Sequence, residues 1–466
     1  MTRTPATPMN RYFSIALLAV VAVSGCGTPA APERPPASAV VFSGARLVLG
    51  DGERPIEDGT FVVADGRVAL VGPRASLTVP RGAPVVDLTG RTVIPAMVDA
   101  HAHIGYMRDL TSGPQNYTRE NILDHLRRYA YFGVAAGMAM GSDFGDLPFA
   151  LRDESAAGRH ADAARFLTAG RGLAPPDEVR PDNMRHSAYS IATPDAARSA
   201  VRELESRGVS IVKTWVDDRG GRVNKMPPDV YGAIIDEAHA HGMRVMVHAT
   251  DLADAKALIR RGVDGFGHAL QEIDDEFVDL VKERPNVFFL LALGGPRRVV
   301  HAPWLDPVHP LVAATVSPAQ IARLRNRLAS ESEAGRRAAQ LAWDRMAAGV
   351  ARLSAIGTRI GVGTDGGGQL GDQFIGWTVH TEVENMVAAG MTPGEVLKAA
   401  TSTAADIVGL GDVGRIAVGY SADFIVLDAN PLDDITNTRR IVSVFLRGAE
   451  IDRAGLQRAW ASQATR

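Results

Sequence analysis

Thr92-Val93-Ile94-Pro95-Ala96-Met97-Val98-Asp99-Ala100-His101-Ala102-His103 is the stretch on which the architecture turns. It is an apolar run that ends in two histidines, one residue apart. In a β-strand, positions i and i+2 face the same way, so His101 and His103 can grip one ion from the strand's C-terminal end. A lone His-x-His is weak evidence; it gains weight from the rest of the chain. Downstream the chain repeats one unit: helix, glycine, apolar strand, polar residue. Thr193-Pro194-Asp195 opens a helix with a capping threonine and a proline at the first position. Val201 and Leu204 supply its apolar face, Gly208 ends it, and Val209-Ser210-Ile211-Val212 delivers Lys213. A second helix runs from about Pro228 to Gly242, and Val245-Met246-Val247 delivers His248. A third, from about Asp251 to Gly262, precedes a short strand through Phe266 that delivers His268. Finally, Gly357 precedes Ile360-Gly361-Val362-Gly363, which delivers Asp365.

This alternation predicts a parallel α/β sheet, and right-handed crossovers leave either a barrel or an open sheet. A polar residue at nearly every strand end favours the (β/α)8 TIM barrel, because a barrel points all those ends at one mouth. We place it at residues 95–416. The flanks read differently. Val40-Val41-Phe42, Phe61-Val62-Val63 and Val68-Ala69-Leu70-Val71 are short β-rich runs, and Asp65-Gly66 between two of them signals a hairpin. The same texture returns in Ala422–Asp428 and Ile441–Leu446. Both chain ends are therefore expected to build one small β-sandwich domain, from residues 39–94 and 417–453.

At 466 residues and 46% hydrophobic, the chain has ample apolar material for a large core. Fifty Lys and Arg against 53 Asp and Glu leave a net charge of −3, which argues against a nucleic-acid partner held by overall positive charge. The single cysteine excludes an intramolecular disulfide framework and any cysteine-rich metal site. That cysteine is Cys26, preceded by Arg3, Arg11, an apolar run from Tyr12 to Val23, and Ser24-Gly25. The pattern predicts a signal peptide over residues 1–25, because the run is too short for an ordinary membrane span. Val23-Ser24-Gly25-Cys26 resembles a bacterial lipobox, with Cys26 as the lipidated residue, and the Pro- and Ala-rich stretch to Ser38 reads as a tether, 26–38. The expectation is an exported bacterial lipoprotein anchored to a cell-envelope membrane.

The polar strand ends resemble the metal-dependent amidohydrolase superfamily. Its pattern is His-x-His on strand one, lysine on strand four, histidines on strands five and six, and aspartate on strand eight. His101, His103, Lys213, His248, His268 and Asp365 fill every position. The resemblance runs from about Val40 to Arg453 and includes Thr401-Ser402-Thr403-Ala404-Ala405 and Gly419-Tyr420-Ser421-Ala422-Asp423-Phe424. Within the superfamily the chain is most similar to the imidazolonepropionase-like branch, with its Xaa-Pro and related dipeptidases. One departure is Ala96, where the family usually has glycine.

The resemblance implies two divalent metal ions, zinc foremost, bridged by a carboxylated Lys213. His101, His103 and Asp365 would hold one ion, and His248 and His268 the other. A carbamate suits a place between two dications where an ammonium would be repelled. An unmodified Lys213 beside a single ion stays open. Bound metal would activate water, and Asp365 would take its proton and pass it to the leaving nitrogen. The implied activity is hydrolysis of an amide or cyclic amide C–N bond in a small-molecule substrate of dipeptide or N-acyl amino acid type. An esterase or lactonase with the same site is the alternative; a degenerate lipid-anchored binding protein is disfavoured by the complete ligand set. His186, Tyr189 and Trp215 are candidate substrate contacts at the same rim, with Asp217 and Asp218 close behind. Gly366-Gly367-Gly368 suits either close substrate approach or a simple turn. His239 and His241 read as capping groups at a helix end, and the stretch from Gly294 to Arg352, which holds His301 and His309 before an Arg- and Ala-rich helical region, reads as solvated helix by default, with a lid as the alternative. Homo-oligomerisation stays open.

Overall fold

Asp65 and Gly66 both adopt positive φ, 52° and 75°. These are the two left-handed positions that a two-residue hairpin turn with the sheet's own twist demands. The turn joins Ile56–Ala64 to Arg67–Pro73 in antiparallel register. The computed structural model describes residues 39–179, 185–368 and 373–464. The expected signal sequence, Cys26 and the tether lie outside them.

The hairpin belongs to an eight-stranded sheet built from both chain ends. Val40–Leu47 pairs with Ile56–Ala64, and Thr92–Pro95 carries the C-terminal strand Phe424–Leu427 antiparallel, with Ile441–Leu446 next to it. Side-chain alternation directs Phe42, Phe61, Phe424 and Phe445 into one cluster. Phe42 stacks on Phe61 at 5.0 Å between ring centroids, and Phe424 on Phe445 at 4.5 Å. The two termini are thus tied by apolar packing as well as by backbone bonds, which aromatic pairs reinforce beyond their buried area.

From Met97 onward the ladders of the two main sheets are parallel, and a small antiparallel pair, Met107–Arg108 with Thr111–Ser112, stands apart from them. Met97–Ala102, Val134–Ala139 and Arg165–Thr168 form one sheet of three strands. Tyr189–Ser190, Leu173–Ala174, Ile211–Trp215, Arg244–His248, Gly265–Phe266, Phe288–Leu290 and Arg359–Gly361 succeed one another across a second. The two sheets meet where the first strand faces the last. Ala100 N donates to Val362 O at 3.0 Å, Asp365 N to His101 O at 2.8 Å and His103 N to Gly366 O at 2.7 Å. On the other side, Gly172 N donates to Gly141 O at 2.8 Å. The strands alternate with helices, among them Arg119–Tyr131, Pro194–Ser206, Pro228–Ala240, Leu252–Arg261 and Asp275–Glu283. This is an α/β fold of the TIM-barrel type, in which all strand ends lie on one side.

The local signals act as expected. Thr193 accepts from Ala196 N at the start of Pro194–Ser206, and Asp251 accepts from Ala253 N and Asp254 N. Gly262 closes its helix at φ 102°. The segment Thr401–Ala405 has a structural task. Ser402 Oγ donates to Gly50 O, and Ala399 O accepts from Val362 N at 3.1 Å, which fastens the last strand to the small sheet. The stretch from Gly294 to Arg352 departs from the solvated helix expected. Its first part is core: Trp304, Val312, Ile321 and Leu324 are buried with Phe132, Trp377 and Trp460. Aromatic and branched residues there bury enough apolar area to dock the segment against its neighbours. Among the described residues, no helix is long and apolar enough to cross a membrane.

Candidate metal centre

His101 lies in the strand Met97–Ala102 and His103 immediately beyond it, both almost fully buried. The same-face rule brings them together, with ring centroids 5.6 Å apart. His101 Nδ1 bonds Gly267 O at 2.8 Å, and His103 Nδ1 bonds Ser142 Oγ at 2.9 Å. A carbonyl only accepts, so His101 Nδ1 carries the proton and leaves Nε2 with a free lone pair; a partner on one ring nitrogen frees the other for a ligand. Asp365 lies just past the last strand at φ 56°, a conformation uncommon outside glycine, held by its N–H on His101 O. Its Oδ1 lies 2.8 Å from His103 Nε2 and 3.7 Å from His101 Nε2. Ligand atoms of His101, His268 and Asp365 all lie within 4.8 Å of one another. Two neutral imidazoles and a carboxylate at that spacing fit a divalent cation.

Lys213 points into the same place from Ile211–Trp215, with Nζ 3.4 Å from His101 Nε2. His248 joins less directly. Its ring packs on that of His268 at 4.1 Å, but its Nε2 receives an N–H from Arg219 Nη1 and lies 3.3 Å from Asp217 Oδ2. His101, His268 and Asp365 therefore form the ready cluster, with His103 and Lys213 against it and His248 turned toward the loop after Ile211–Trp215.

Burial sets the protonation states. Desolvation holds His101, His248 and His268 well below the ordinary histidine range, so they are neutral at pH 7. Lys213 is brought down to about 7 by burial, with Asp365 pulling the other way. Burial by itself would raise Asp365, yet the His103 hydrogen bond and the neighbouring imidazoles hold its carboxyl well below the usual range.

The glycines are there to let this cluster close. A Cβ on Gly363 would sit 2.7 Å from His101 Cβ, and one on Gly367 would sit 2.4 Å from His103 O. The Gly366–Gly368 turn thus packs on the His103 backbone. Gly267 has no positive-φ requirement, but a Cβ there would meet Lys213 Nζ at 2.9 Å and His101 Cε1 at 3.1 Å. Gly267→Ala is expected to fold and to push these two groups aside. A misplacement approaching 1 Å costs on the order of 10²-fold in rate, so a shift of a few tenths should cost about tenfold in kcat/KM. Turnover beside a thermal melt checks this; an unchanged kcat/KM would show that Lys213 and His101 have slack.

Of the three substrate candidates, Trp215 is buried, with Lys213 Nζ 5.6 Å and the Arg185 guanidinium 5.4 Å from its ring centroid. His186 packs against Tyr106 and Phe144 at 5.8 and 5.1 Å. Tyr189 lies under the Arg171 guanidinium at 3.8 Å. His239 pairs with Asp264 at 2.9 Å, outside the centre.

Sequence reasoning missed two groups. Asp99 is buried and accepts from Thr364 N at 3.1 Å, Thr364 Oγ1 at 2.6 Å and Tyr129 OH at 2.8 Å, clamping the first strand to the last directly beneath the histidines. Its i, i+2, i+4 spacing with His101 and His103 was the available signal. The other is the set Glu178, Arg185 and Arg219. It comes from two separate loops, and no periodicity announces it.

Against this geometry, a family model described as "Amidohydrolase family" matches residues 92–451. An uncharacterised protein of Mycobacterium tuberculosis is 28% identical over 193 residues, 40% of this chain and 47% of that protein. The match to these curated relatives thus spans about half their length. The ochratoxinase of Aspergillus niger is 26% identical over 376 residues, 74% of this chain and 71% of the relative. Among solved structures, a Xaa-Pro dipeptidase with bound methionine in its active site superposes with a TM-score of 0.69 at 21% identity, covering 89% of this chain and 99% of that one.

Proposed function

The chain belongs to the amidohydrolase family, and from that premise we propose that it is a metal-dependent hydrolase cleaving an amide or cyclic amide C–N bond, in a substrate of dipeptide or N-acyl amino acid type. The observation that carries the reading is the cluster of His101, His268 and Asp365, with His103 bonded to Asp365 at 2.8 Å. The ligands of the proposed centre are His101, His103, Lys213, His248, His268 and Asp365. A divalent ion bound there, zinc or a similar metal, supplies Lewis acidity and lowers the pKa of water.

The chain's own residues do the rest. Asp365 is the carboxylate of the cluster, with 28% of its side chain exposed. It is therefore the group placed to accept a proton at a carboxylate oxygen and return it to a leaving nitrogen. His103 holds Oδ1 in one orientation, and Gln373 Nε2 reaches Oδ2 at 3.2 Å. Lys213 is buried and brought down to about 7, so the neutral amine that carboxylation requires is accessible near neutral pH. A second ion at Lys213 and His248 needs the Arg219 N–H to leave His248 Nε2. The reading takes the parallel strands as one closed (β/α)8 barrel over 95–416 with a β-sandwich from 39–94 and 417–453, supported by the hydrogen bonds between Ala100 and Val362 and between His103 and Gly366. It also takes the protein as exported and anchored through Cys26.

Elemental analysis tests the centre: the purified protein is expected to carry one to two equivalents of a divalent transition metal, and turnover of N-acyl amino acids or dipeptides is expected to rise with occupancy. Well under one equivalent, with no gain on adding zinc, manganese or cobalt, overturns it.

A further inference from the structure

Beside the cluster lies a group of charges that the proposed set of metal ligands does not include. Glu178, buried on the loop after Leu173–Ala174, holds two arginines from different loops. Its Oε1 accepts from Arg219 Nε at 3.1 Å and forms an ion pair with Arg185, whose Nε lies 2.7 Å away. Both guanidinium groups are about five-sixths buried, at 16% and 15% side-chain exposure. Asp217 Oδ1 stands 3.5 Å from Arg219 Nε, so the two guanidiniums face two carboxylates. Arg219 Nη2 is buried and has no hydrogen-bond partner among the described residues. A buried cationic N–H without an acceptor is expensive, and such groups in native proteins ask for an explanation.

The location supplies one. Arg219 Nη1 touches His248, whose ring lies 4.1 Å from that of His268, a member of the cluster. Arg185 lies over the same Trp215 ring that Lys213 approaches. We propose that Arg185 and Arg219, both paired with Glu178, form the subsite for a carboxylate on the amino acid that leaves when the amide is cut, so that the substrate is an N-acyl amino acid or peptide with a free C-terminal carboxylate. In such a substrate only a nitrogen and one carbon separate the scissile carbonyl carbon from the carboxylate carbon. The anion site must therefore sit next to the metal ligands, as these arginines do. Planar guanidiniums present paired donors that match a carboxylate, and a fixed Nε directs the remaining N–H groups one way.

This inference rests on the hydrolase reading, and binding and turnover are measured separately so that either can fail alone. For binding, N-benzylglycine and N-benzylglycinamide differ only at the carboxyl and carry no N-acyl bond. They are titrated calorimetrically into the metal-loaded wild type and into Arg185→Met, Arg219→Met and Arg219→Lys. The acid is expected to bind at least tenfold more tightly than its carboxamide. Each methionine variant is expected to lose about 10- to 100-fold in acid affinity, the range for a hydrogen bond to a charged group. Arg219→Lys should recover part of it. For turnover, N-acetyl-L-leucine is compared with its carboxamide, and the arginine variants should raise KM for the acid more than they lower kcat. Equal binding of acid and carboxamide by the wild type, or equal losses for both ligands in every folded variant, overturns the subsite. Preferential acid binding without hydrolysis of any acyl compound keeps the subsite and overturns the hydrolase reading. Thermal melts identify any variant that fails to fold, and Arg219→Lys then carries the comparison.

Discussion

Asp365→Asn is expected to lower kcat about 10²–10⁴-fold, the usual contribution of general acid–base catalysis, while leaving substantial metal bound. Asparagine keeps a carbonyl oxygen at the position of Oδ1 or Oδ2, so the cluster with His101 and His268 retains a third oxygen ligand. It cannot accept and return a proton at neutral pH. Because His103 Nε2 lies 2.8 Å from Oδ1, that bond can survive only if the amide places its oxygen there. The accompanying change in KM should be smaller, since the pocket walls are untouched. Steady-state kinetics on a true substrate, with metal content measured on the same preparation, decides it. Near-wild-type kcat in a metal-replete Asp365→Asn protein would remove Asp365 as the proton carrier, and the mechanism would need another base.

His101→Ala should fail differently. His101 is fully buried, its Nδ1 bonds Gly267 O at 2.8 Å, and its Nε2 faces both Asp365 and Lys213. Losing it removes one of the three ligands of the ready cluster. Activity as purified is expected to fall by at least ~10³-fold, because a loss of Lewis acidity forfeits several kcal/mol of transition-state stabilisation. Chelation of the wild type should produce the same loss, reversed by adding metal back. The variant is expected to show weaker metal binding in equilibrium dialysis, and His248→Ala should recover at high metal far more readily, because Arg219 already engages His248 Nε2. If His101→Ala bound metal as tightly as the wild type, the cluster would not be the metal centre.

Much of this site is legible in the sequence because its signals are local. A strand's period of two places His101 and His103 on one face, and a threonine or aspartate before an apolar-periodic run marks a helix start, as Thr193 and Asp251 do. Each such unit delivers its polar residue at a strand end, so Lys213, His268 and Asp365 stand out without knowledge of the groups opposite them. Signals of this kind fail where burial is decided by distant partners. The segment after Gly294 reads as polar helix along its own length, yet Trp304 and Ile321 are buried because Phe132 and Trp377 are there to meet them.

The sequence by itself thus determined the alternation of strand and helix, the joining of the two β-rich chain ends in one small sheet unit, and the identity of the polar residues at the strand ends. Those features come from backbone periodicity and side-chain polarity within windows of ten or so residues. The tertiary structure alone decided which atom each polar group faces. It turned His248 Nε2 toward Arg219, joined Arg185 and Arg219 through Glu178, and set Asp99 against Thr364 at a separation of 265 positions. The physical reason is that a hydrogen bond or ion pair is won by the donor that packing brings within about 3 Å, and in this fold those donors come from loops after different strands.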